Sequence, residues 1–188
     1  AVLTGSKCGE DGAQRVTMEA VTRVARAIAD LTGPSCCKAY VRAGLGAAAS
    51  DPRPHVVFVM ADDEYKSEQT LPRFAREHLD ERYGCTFLRA RGNEPPERHD
   101  VPGLAALYDA DLLVLSVRRR ALSVPQMDHL ERYVRAGKPL VALRVSVVPF
   151  QVEAKDRPEG HVVWREFDRE VLGGRYAGYN PEARRTGT

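Results

Sequence analysis

The pattern of hydrophobic and polar positions changes character near residue 52. Before it, Val21, Val24, Ala25, Ile28 and Leu31 recur at spacings of three and four, which places them on one face of a helix. Gly33-Pro34 stops that helix, and a second short helix is expected over Ser35 to Leu45. "GLGAAASDPRP", Gly44 to Pro54, then reads as a linker of small residues and prolines. Beyond it, four short runs are apolar nearly throughout: "HVVFVM" from His55, "CTFLRA" from Cys85, "DLLVLSV" from Asp111 and "PLVAL" from Pro139. Runs of this kind suit strands buried on both faces, as in a parallel sheet.

Helical periodicities lie between the runs. In "TLPRFAREHLDERYG", Thr70 can cap, Pro72 fits a first turn, and Leu71, Phe74, Ala75 and Leu79 share a face that Gly84 ends. "LAALYDA" from Leu104 is a short helix. In "SVPQMDHLERYVRAGK", Ser123 and Gln126 have capping-box spacing, Pro125 sits in the first turn, Met127, Leu130 and Val134 face one way, and Gly137 closes the helix. "WREFDREVLGG" predicts a further helix with Trp164, Phe167 and Val171 inward.

This alternation predicts an α/β fold: a doubly wound, mainly parallel sheet with helices on both faces, preceded by a helical amino-terminal segment. The expected division is residues 1–52 and 53–188. In such sheets ligands sit beyond the carboxyl ends of the strands. That rule selects four loops: "ADDEYKSEQ", "RARGNEPP", "SVRRRAL" and "RVSVVPF".

Composition narrows the functions. The 188 residues are 43% hydrophobic and 29% charged, with a net charge of +2, so nothing draws the whole chain to nucleic acid or an anionic membrane. Residues 1–50 hold six Lys/Arg and four Asp/Glu; the remainder holds 22 of each. No run approaches the ~18 apolar residues of a membrane helix, and no signal peptide is visible, so a cytoplasmic protein is expected. Cys8, Cys36, Cys37 and Cys85 are too few and too clustered for a secreted disulfide scaffold. Free thiols in a reducing compartment are the simplest reading; Cys8, Cys36 and Cys37 are weak candidates for a metal.

The loops carry the candidate chemistry. Asp62, Asp63, Glu64 and Tyr65 could form an acid/base pair, a metal site, acceptors for sugar hydroxyls, or simply a solvated acidic turn. Arg118, Arg119 and Arg120 offer planar donors to carboxylate, phosphate or diols, or salt bridges to the acidic first loop. Arg118 and Arg120, at alternate positions, are expected to share a direction. At the fourth junction stands Arg144, where many α/β enzymes carry a nucleophile. Ser146 lacks the flanking glycines of a nucleophile elbow. His55, His78, His99, His129 and His161 read as structural or solvated, and no phosphate-binding glycine motif is present.

Three segments, "VVFVMADDEYKSEQTLPRFA", "DLLVLSVRRRALSVPQMDHLERYVRAGKPLVALRVSVVPF" and "WREFDREVLGGRYAGY", together resemble the ThuA-like, or trehalose-utilisation, domain over roughly residues 54 to 180. The resemblance implies a flavodoxin-like fold within the class I glutamine-amidotransferase-like superfamily. Where the amidotransferases carry a cysteine nucleophile, this chain has Arg144. Val148 and Tyr179 stand where the relatives usually have histidines. The match also ends early, which suggests a domain truncated at its carboxyl end.

The expected function is to bind or process a sugar or sugar derivative at the strand ends, with no cofactor firmly implied, no nucleic-acid or membrane partner, and a homo-oligomer possible. Proton transfer beside a carbonyl would use Glu64 as base and Arg144 or Arg118 as electrophilic stabiliser. Asp63, Tyr65, Ser116, Arg118, Arg120, Ser146 and Tyr176 are the expected ligand contacts. The alternative is a non-catalytic binding or interaction module, or an inactive remnant.

Overall fold

The computed structural model describes residues 40–42 and 53–178. The elements are β1 (Tyr40–Arg42), β2 (His55–Ala61), α1 (Ser67–His78), β3 (Gly84–Arg89), β4 (Leu112–Val117), β5 (Leu122–Ser123), α2 (Val124–Arg135), β6 (Leu140–Ala142), β7 (His161–Val162) and α3 (Phe167–Glu170). The amino-terminal helix expected over 21–31 lies outside the described residues, as do Cys8, Cys36, Cys37 and Tyr179.

The main sheet has the order β1-β6-β4-β2-β3. Strands β3, β2, β4 and β6 run parallel, with Phe58 opposite both Phe87 and Val114. This is an α/β fold with a mainly parallel sheet. One expectation is corrected. Tyr40–Arg42 falls where a second short helix was anticipated, yet it forms a strand antiparallel to β6. A stretch this short takes its conformation from the edge that receives it rather than from local propensity.

The apolar runs work as their pattern implies. On β2, Val57, Val59 and Ala61 enter one core while Val56, Phe58 and Met60 enter the other. On β4, Leu113, Leu115 and Val117 alternate in the same way with Leu112 and Val114. α1 covers the second core with Leu71, Phe74 and Ala75, followed by Leu79. α2 covers the first with Met127, Leu130, Tyr133 and Val134. Each such Val, Leu, Phe or Met side chain, fully buried, contributes about 1.5–3 kcal/mol of transfer free energy.

Helix starts differ from the sequence reading. α1 begins at Ser67, not at Thr70, behind Lys66 in the left-handed region (φ 50°). Thr70 therefore sits inside the helix, its hydroxyl on the Lys66 carbonyl, and Pro72 also lies in the interior. At α2 the capping box does not form, because Ser123 makes no side-chain cap. Gln126 instead reaches outward, its Nε2 donating to Asp100 Oδ1 at 2.6 Å and to the Val101 carbonyl at 3.0 Å. A long-range tie replaced a local one. Gly137 does close α2, with φ 70° that a side chain would strain.

Two further pieces shape the site. β5 and β7 pair antiparallel in a small ladder that the sequence did not announce. Phe150, Phe167 and Trp164 pack edge to face at centroid distances of 5.3 and 5.2 Å, pinning residues 164–171 to the first core. Among the described residues no helix is long and apolar enough to cross a membrane.

Candidate functional site

The carboxyl ends of β2, β4 and β6 are knitted together by short polar side chains. Asp62, just after β2, is buried. Its Oδ1 accepts the Tyr65 amide at 2.8 Å; its Oδ2 accepts the hydroxyl of Ser116 at 2.9 Å and that of Ser67. Ser146 lies in the 3-10 turn Arg144–Val147 that follows β6. Its hydroxyl accepts the Val117 amide and donates to the Leu115 carbonyl, both at 2.8 Å. Ser116 and Ser146 are thus turned into the protein, 1% and 0% exposed. Arg144 opens its turn at the strand-to-loop junction, as the sequence reading placed it.

The acidic first loop meets the arginines of the third. Glu64 and Arg118 form an ion pair, and Arg120 Nη2 donates to Asp63 Oδ1 at 2.6 Å. Arg118 and Arg120 do share a direction, toward the carboxylates of the first loop. Arg120 is 1% exposed, and its Nη1 also donates to the Arg118 carbonyl at 2.6 Å. Burial lowers the affinity of this guanidinium for its proton, while the Asp63 hydrogen bond and charge act to raise it. Asp63 accepts a second guanidinium as well, from Arg98 at 2.8 Å. Tyr65 is exposed.

Arg119, between the two paired arginines, takes a different course. It has φ 50°, the left-handed region that a non-glycine residue enters only when its surroundings demand it. The demand is visible. The Arg119 amide donates to the Val148 carbonyl at 3.2 Å and the Arg120 amide to Pro149 at 2.8 Å, which stitches the third loop to the fourth. The bend places Arg119 in a cleft of about 440 Å³ at the strand ends.

Arg98, His99, Arg119, Arg165, Gln151 and Tyr176 supply the polar lining, with Glu153 and Asp156 on one wall. His99 follows β3 in a short 3-10 turn and is 2% exposed. Its Nδ1 accepts the Ala121 amide at 3.1 Å. Burial, then the charges of Arg98 and Arg120, push its imidazole down to about 4, so the ring is neutral near pH 7. Gln151 Nε2 donates to the Arg165 carbonyl at 2.6 Å, tying the two sides of the cleft. Tyr176 is held by its amide on Asp168 Oδ2 at 2.8 Å.

Of the ligand contacts expected from sequence, Tyr176 lines this cleft. Glu64 and Arg118 are paired with each other, and Asp63 with Arg98 and Arg120. Of the cleft residues outside the expected ligand contacts, Arg98 and Arg165 were not singled out from sequence, Arg119 was read only as one of three arginines, and His99 only as structural or solvated. Arg119 had a signal only in being one of three consecutive arginines; its positive φ is invisible in sequence. Among the described residues no three His, Cys, Asp or Glu side chains gather as metal ligands would. Comparison with protein-family models, curated proteins and solved structures finds no match to this chain.

Proposed function

We propose that this chain is a ThuA-like domain of flavodoxin-like architecture that binds a sugar or sugar derivative at the carboxyl ends of its parallel strands, without a nucleophilic cysteine. The parallel strands, taken in chain order, lie 2-1-3-4 across the sheet, the start of the flavodoxin-like order. The observation that carries the ligand reading is the cleft. Its volume of about 440 Å³ lies in the range of small-molecule sites. Its guanidiniums, phenol and amide can make several oriented hydrogen bonds to a polyol.

Calorimetry against a panel of sugars, sugar acids and sugar phosphates, with and without divalent cations, tests this reading. Saturable binding of any of them supports it; silence across the panel retires it.

A binding module rather than a catalyst is favoured by two observations. Glu64, the expected base, is neutralised by Arg118, and Ser146 is spent on backbone groups of β4. Under this reading the chain converts none of the sugars it binds; turnover that Glu64→Gln abolishes with binding preserved would restore Glu64 to a catalytic role.

A further inference from the structure

We propose that the ligand of this cleft carries an oxyanion, a carboxylate or a phosphate, which Arg119 and Arg165 neutralise and which the Nε2–H of His99 orients through a hydrogen bond. This rests on the reading of the cleft as a sugar-derivative site, and it narrows the ligand to a sugar acid or a sugar phosphate.

The charges of the lining leave an imbalance. Arg98 is paired with Asp63, and Glu153 with Lys155 at 3.0 Å. Arg119 and Arg165 line the cleft without an ion pair among the described residues. Asp156 is the one lining carboxylate left to offset them among the described residues. Two uncommitted guanidiniums against one carboxylate favour an incoming anion. Both arginines are anchored through their backbone. Arg119 is bent into the cleft by its pairing with Val148, and the carbonyl of Arg165 is gripped by Gln151. Their backbones are thus fixed at the cleft, and the planar fork of a guanidinium matches the two oxygens of a carboxylate or phosphate.

His99 adds direction. The Ala121 amide occupies Nδ1, so in a neutral ring the hydrogen is on Nε2. No described group accepts it. The ring lines the cleft and Nε2 is not among the buried atoms left without a partner, so this donor opens onto the cleft, where a ligand can supply the acceptor. The groups facing this ring are Arg98, Arg120, Asp156 and His161, the last at 6.4 Å between centroids. Burial and the two guanidiniums outweigh Asp156 and keep the imidazole neutral, so it remains a donor through the physiological range.

Titration calorimetry on the full chain with four probes decides the matter: inorganic phosphate, glucuronate, glucose 6-phosphate and glucose. The charged sugars should bind at least about tenfold more tightly than glucose, since one charge-assisted hydrogen bond is worth that factor. The better of the two reveals whether carboxylate or phosphate is the natural group. The exposed double variant Arg119→Ala/Arg165→Ala should erase the advantage. His99→Asn keeps an acceptor for the Ala121 amide but lacks the Nε2 donor; it should weaken the charged sugars about three- to tenfold and leave glucose alone. If His99→Asn folds poorly, the arginine variant still decides. Phosphate binding that the arginine variant abolishes, with no sugar bound, supports the oxyanion site and ends the sugar reading. Glucose bound as well as its charged relatives, with no effect of the arginine variant, overturns the oxyanion and spares the sugar reading. No binding of any probe overturns the proposal.

Discussion

The Ser146 hydroxyl takes the amide hydrogen of Val117 at 2.8 Å and hands its own to Leu115, so the turn after β6 is locked to the last residues of β4. Both backbone groups are buried. Ser146→Ala leaves the Val117 amide without a partner, while the Leu115 carbonyl keeps the Leu143 amide at 2.9 Å, and the expected loss is about 1–3 kcal/mol. Urea unfolding followed by circular dichroism measures it. A variant as stable as the parent would mean that the lock is unimportant.

Asp63 compensates a guanidinium that has almost no access to water. Removing a partner from a buried charge is costly, whereas exposed pairs contribute little. Asp63 is itself 43% exposed, so solvent supplies part of what is lost. Asp63→Asn should cost about 2 kcal/mol, and Glu64→Gln, which breaks the more exposed pair with Arg118, at most about 1 kcal/mol. Parallel denaturant titrations compare them. Equal costs would mean that Arg120 has another anchor.

The framework was legible because both faces of β2, β4 and β6 are covered. Continuous runs such as Val56 to Met60 admit few other readings. The helix faces were legible for the same reason, since Phe74 and Leu130 repeat at helical spacing. Their caps were not, because Gln126 found Asp100 rather than the start of its own helix. Of the four loops read from sequence, the third and fourth give Arg119 and Val148 to the cleft, and its other lining residues lie outside them. Three consecutive arginines look equivalent in a string. Only the positive φ of Arg119, imposed by backbone pairing with Val148 and Pro149, sends the middle one into the cleft. His99 was legible as a structural histidine but not as a cleft-lining donor, because its Ala121 partner is far along the chain.

Arg119→Gly separates stability from binding. Glycine relieves the left-handed backbone strain but widens the unfolded ensemble, two effects of about 1 kcal/mol each and of opposite sign. The melting temperature should hold within a few degrees while affinity for anionic sugars falls. Thermal melts beside calorimetry check both. A large loss of stability would mean that the Arg119 side chain holds the loops together.

The His99 imidazole should give acid sensitivity of a definite sign. Its folded value near 4 lies below the ordinary 6.5, so between these two the unfolded chain binds the extra proton. Its contribution to stability is complete above about pH 6.5 and declines as the pH falls toward about 4. His99→Asn should flatten that part of a stability-against-pH curve measured in urea. An unchanged slope would assign the acid sensitivity to other groups.

The outermost strand, β1, has a consequence for anyone trimming this protein. Tyr40–Arg42 occupies the side of β6 that faces away from β4. A version beginning at residue 53 would leave a bare ribbon of amides and carbonyls there, a template onto which neighbouring copies could add strands. Shortened preparations should therefore show concentration-dependent self-association by light scattering.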